Sequence, residues 1–110
     1  MHAAVFGWTN TRMNRMDNTR IIDAMSQAEL LAMLAEEAAE LAQAALKLRR
    51  VLDGTNPTPA TYAEAKEDLI EEAADVELCM RQITALSGRH EIELVKAEKY
   101  LCWLDRLGIK

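Results

Sequence analysis

Glu37 and Glu40 stand three residues apart in the stretch MLAEEAAELAQAALK, and Glu72 and Asp75 repeat that spacing in DLIEEAADVELCM. Side chains three apart share one face of a helix. Each stretch therefore presents a pair of acids, E-x-x-E in the first and E-x-x-D in the second. Paired carboxylates hold a hard cation or exchange a proton with water, depending on how far they are removed from solvent. The apolar pattern says how far. Around the first pair the stripe reads Leu30, Leu34, Glu37, Leu41, Ala45, Leu48 and Leu52, in steps of three and four. Around the second it reads Leu69, Glu72, Val76, Cys79, Ile83 and Leu86. Each stripe has an acid in the middle of a face that should be buried.

The elements that carry these pairs are marked by their ends. Ser26 with Glu29, in SQAE, is a capping box, and it predicts a helix running to about Leu52. The segment DGTNPTP stops that helix. Thr61 with Glu64, in TYAE, is a second capping box for a helix running to about Leu86, closed by Ser87 and Gly88. A last helix spans about Arg89 to Leu107, and NTRIIDAM predicts a short helix capped by Asn18. Residues 1–17 read as an irregular arm, and residues 18–110 as one helical domain. Ala and Leu dominate, and β-branched runs are absent, so the class is all-α. About four helices per chain predict an antiparallel bundle.

A short breaker loop makes the two central helices antiparallel neighbours. The pairs Glu40/Glu72 and Glu37/Asp75 are both centred on Asn56. Folding the hairpin about that residue sets Glu40 against Glu72 and Glu37 against Asp75, roughly 20–25 Å from the turn at about 1.5 Å of rise per residue. Four like charges in a partly buried seam are costly unless something neutralises them. A divalent cation does so. Oxygen-only ligands favour Mg²⁺, with Mn²⁺ as the alternative, and both histidines, His2 and His90, lie outside the pattern. Glu36, Glu64, Glu67, Glu71 and Glu77 read as solvated face. Lys or Arg from another helix is the structural alternative to a metal.

These residues resemble the MazG-like, all-α nucleoside triphosphate pyrophosphohydrolases, whose signature is E-x-x-E followed by E-x-x-D on adjacent helices. The likeness runs from about Gln27 to Leu107. The 31 residues between Glu40 and Glu72 make the connection long for the family, and DGTNPTPATY absorbs the excess as loop. The resemblance implies cleavage of an NTP or dNTP between the α and β phosphates, with Mg²⁺ held by Glu37, Glu40, Glu72 and Asp75. Glu37 or Glu40 would position or deprotonate the attacking water, and Glu36 or Glu71 would help orient the ligands. Lys47, seven residues after Glu40, and Lys96 and Lys99 on the last helix are the candidate phosphate-binding cations. Trp103 is a candidate base-stacking residue, with core or dimer interface as its other reading. The likeness also implies a pocket half closed by one chain and completed in a homodimer or homotetramer. A phosphoribosyl-ATP pyrophosphohydrolase shares the fold and chemistry. A helical interaction module without catalysis is the alternative from another class.

The charge balance agrees with a small-molecule substrate. A net charge of −5 gives no reason to expect nucleic acid as a partner. No apolar run approaches the ~20 residues of a membrane span. The first fifteen residues lack the basic-then-apolar layout of a leader, so the expected location is cytoplasmic. Cys79 and Cys102, both in helical patterns, are expected as reduced, buried thiols.

Overall fold

The structure, a computed structural model, describes residues 19–110 apart from 57 and 86. The arm over 1–17, His2 and the Asn18 cap lie outside the described residues. Among the described residues all regular structure is helical: α1 (Thr19–Ala24), α2 (Gln27–Asp53), α3 (Tyr62–Ile83) and α4 (Arg89–Arg106).

Both capping boxes form. The Ser26 hydroxyl accepts the Glu29 N–H at 3.1 Å, and Glu29 Oε1 accepts the Ser26 N–H at 3.0 Å. Thr61 and Glu64 repeat the exchange at 3.1 and 3.0 Å. The backbone bond, ahead of the side-chain bond, holds each capping carboxyl below its ordinary range. Replacing Thr61 by Ala is expected to cost about 1 kcal/mol, read as a lower urea midpoint with an unchanged slope.

α2 ends at Gly54, whose φ of 70° is open to glycine at little cost and whose N–H returns to the Arg50 carbonyl. Asn56 then takes φ 52°, and the chain reverses. α3 ends at Ile83, three residues before the end expected from its stripe. There the Thr84 hydroxyl and N–H both bond the Met80 carbonyl, and the next N–H, of Ala85, turns to the Gln82 carbonyl at 3.4 Å, a tighter i→i−3 step with which the α-helical ladder stops. Gly88, at φ 97°, turns the chain into α4.

α2 and α3 pack along their length as an antiparallel hairpin, and α1 lies on α3. α4 stands off from both, so the described part of one chain is a hairpin with an outlying helix rather than a closed four-helix bundle. The seam is thin. Its buried apolar residues are Leu30, Ala44, Ala65 and Cys79, and its largest fully enclosed side chain is Glu37. The stripe on α2 runs through Ala44 and half-buried Val51, where Ala45 and Leu52 were expected; those two are exposed. Cys79 is a buried free thiol, as expected, whereas the free thiol of Cys102 is exposed on α4. No residue of α4 is buried. Among the described residues no helix is long and apolar enough to cross a membrane.

Candidate metal centre

The hairpin brings the four acids together. One ligand oxygen from each of Glu37, Glu40, Glu72 and Asp75 lies within 4.8 Å of all the others. Two oxygens on opposite sides of a bound hard cation are separated by about twice a metal–oxygen bond, roughly 4–5 Å. The cluster therefore has the scale of a single ion's shell. Glu37 and Glu72 are buried at 1% and 6% exposure, in the middle of the packed seam, while Glu40 and Asp75 sit at its margin. This is the result of a three-residue step on each helix: one member of each pair faces the seam and the other its edge.

The electrostatics match that placement. Burial pushes the Glu37 carboxyl above its ordinary 4.5, and the nearby charges of Asp75 and then Glu40 push it further. Burial likewise raises Cys79, with Glu37 and Asp75 adding to the effect. One oxygen of each acid is shut off from solvent, and among the described residues Asp75 Oδ2 has no hydrogen-bond partner. A buried, unsatisfied carboxylate oxygen costs free energy that a cation would recover. An all-oxygen, anionic donor set of this kind could hold a hard divalent cation.

Beside the cluster, between α2 and α3, runs an open groove of about 550 Å³ lined by Glu40, Glu72, Lys47, Asp68 and Arg50 among others. Lys47 is thus beside the acids, as its spacing from Glu40 predicts. Its ammonium donates to Asp68 Oδ2 at 2.8 Å, with both side chains half-exposed. Arg50 Nε donates to the Thr58 hydroxyl at 3.0 Å, tying α2 to the loop before α3. Arg50 and Asp68 join the groove without standing in either acid pair, although their spacing places them there: Arg50 is three residues after Lys47, and Asp68 four before Glu72.

The other candidates lie elsewhere. Lys96, Lys99 and Trp103 line a strip of α4 with Tyr100, a surface that shares no residue with the groove. Lys96 is 3.5 Å from Glu93, and Trp103 is 61% exposed. Glu36, Glu64, Glu67, Glu71 and Glu77 are all exposed, as is His90. No family model, curated protein or solved structure matches the chain.

Proposed function

We propose that the chain is a Mg²⁺-dependent nucleoside triphosphate pyrophosphohydrolase, which hydrolyses an NTP or dNTP to the monophosphate and pyrophosphate. The observation that carries this reading is the convergence of Glu37, Glu40, Glu72 and Asp75 across one helical seam. When bound there, Mg²⁺ would supply charge neutralisation to the phosphates and to the oxygens on which charge develops. The chain's own residues do the rest. Glu40 lines the groove and Glu37 is enclosed, so Glu40 is the better placed of the two to orient the attacking water and accept its proton. Lys47, at the same groove, offsets phosphate charge.

Lys96, Lys99 and Trp103 reach a groove of this kind from a second copy. Support comes from α4, an 18-residue helix without a buried residue, on which Leu94, Val95, Leu101 and Trp103 are all exposed. A helix with no buried residue and several exposed apolar side chains gains by finding cover on another surface. Sedimentation is expected to show a dimer or tetramer. Replacing Leu101 by Glu removes about 1.5–3 kcal/mol of burial per copy and is expected to yield monomer with unchanged helical content. A monomeric wild type would remove the second copy from the proposal.

The test of the activity is pyrophosphate release from a panel of NTPs and dNTPs, with Mg²⁺ and with EDTA. Metal-dependent release is the expected result. The exposed face of α4 equally suits a non-catalytic interaction module, and a folded protein that releases nothing from any nucleotide would favour it.

A further inference from the structure

We infer that the groove between α2 and α3 is a polyphosphate track, and that Arg50 is the residue that grips the end of the chain of phosphates farthest from the acids. The identity of the ligand rests on the hydrolase reading; the cation placement does not. The groove is electrostatically graded. Glu40 and Glu72 stand at one end, Lys47 follows about 10 Å along α2 from Glu40, and Arg50 about 15 Å along, at about 1.5 Å per residue. Side chains as long as Lys and Arg cover part of those gaps.

Arg50 differs from its neighbours in how its charge is met. Arg49 is 3.4 Å from Asp53, Arg89 is 2.9 Å from Glu93, and Lys47 is 2.8 Å from Asp68. Among the described residues Arg50 has no carboxylate partner, yet it is half-buried. Its one side-chain bond, to Thr58, uses Nε and leaves both terminal nitrogens for another acceptor. A guanidinium held by its stem, with its outer fork uncommitted, suits two oxygens of one phosphate. Lys47 plays a different part. Its ammonium is already engaged by Asp68, so an incoming polyanion competes with Asp68 for it. Asp68 is then a rival anion in the track and sets how tightly the track holds its ligand.

Calorimetric titration of the full chain with inorganic tripolyphosphate in Mg²⁺ tests this, alongside Mg²⁺ titration and pyrophosphate release. Losing a charged hydrogen-bond partner predicts about tenfold or more weaker tripolyphosphate binding in Arg50→Ala. Mg²⁺ affinity should stay within about twofold, since Arg50 is not among the acids. Arg49→Ala should change neither, and Asp68→Asn should tighten tripolyphosphate binding. Wild-type affinity in Arg50→Ala, an equal loss in Arg49→Ala, or no binding by the wild type would overturn the track. Weaker binding by Asp68→Asn would overturn the competition at Lys47. The two readings separate cleanly. An Arg50-dependent tripolyphosphate site in a protein that releases no pyrophosphate keeps the track and removes the hydrolase. Pyrophosphate release with an unchanged KM in Arg50→Ala does the reverse.

Discussion

Glu72→Gln is expected to abolish Mg²⁺-dependent pyrophosphate release while leaving the helical hairpin folded. Glu72 lies at 6% exposure in the middle of α3, and its carboxylate is one of the four that meet within 4.8 Å. Gln has the same shape and keeps an amide oxygen, so the packing of the seam survives. It brings no negative charge, and one of its two carboxylate oxygens becomes a donor. Removing one element of a preorganised electrostatic site costs about 10²–10³ in turnover, and losing a charged ligand belongs at or above the top of that range. The mutant should therefore fall to background in the nucleotide panel. Its circular dichroism should match wild type, so that the loss is read as chemistry and not as unfolding. A folded Glu72→Gln protein that turns over at the wild-type rate would remove the four acids from the chemistry.

The second large effect concerns the thermal midpoint. Without a cation the seam encloses acids whose charges oppose one another. Glu37 binds its proton more tightly folded than at its ordinary value of 4.5, because burial first, and then Asp75 and Glu40, disfavour its carboxylate. Below 4.5 the group is protonated in both states, and its contribution to stability is fully present. As pH rises, the unfolded chain ionises first; the folded chain follows at its raised value, and the contribution is lost across that interval. The exposed capping carboxyls Glu29 and Glu64 have lowered values and act in the opposite sense, but their contribution changes below 4.5, outside this window. In EDTA, the midpoint should therefore fall from about pH 4.5 upward. Saturating Mg²⁺ at neutral pH should restore it: at a hundredfold excess over Kd the gain is about 2.7 kcal/mol, or roughly 10 °C for a domain of this size. Glu37→Gln should flatten the fall in EDTA and lose most of the response to Mg²⁺. Scanning calorimetry of both proteins, at pH 5 and 7 and with and without Mg²⁺, reads all of these. An equal pH slope in wild type and Glu37→Gln would show that Glu37 does not carry it.

What could be read from the sequence, and what could not, divides along physical lines. Ser26 with Glu29 and Thr61 with Glu64 are local devices, complete within four residues, and both form as spaced. The meeting of Glu37, Glu40, Glu72 and Asp75 was readable because helical phase and a shared midpoint are properties of spacing alone. Ala44 and Ala45 are chemically identical neighbours, so residue type does not decide which turns inward; the packing of α3 on α2 leaves Ala44 buried and Ala45 exposed. The partner of Lys47 is an acid 21 residues away, and such pairings belong to the register of the packed hairpin. The early end of α3 comes where the Ala85 N–H turns from the i−4 ladder to Gln82, whereas the apolar period continues past it. α4 has an amphipathic sequence and no buried residue. Amphipathicity says that a face seeks cover and is silent on whether the cover comes from the same chain. For the same reason the exposure of Cys102 could not be read from its apolar neighbours.

The reversal at Gly54 and Asn56 has a consequence for which changes in length the chain can survive. The centre lies well inside both helices, with α2 continuing from Glu40 to Asp53 and α3 beginning at Tyr62, before Glu72. Residues added or removed between Gly54 and Thr61 leave the phase of both arms unchanged, at a cost that grows slowly with length, provided Thr58 still meets Arg50. A single residue inserted between Glu37 and Glu40, or between Glu72 and Asp75, turns one member of the pair by about 100° about the helix axis. An insertion in either arm beyond the pair leaves the pair intact but shifts the rest of the seam off its packing face. Across descendants of this sequence, loop length can therefore drift, while the count of residues along each arm is locked in phase.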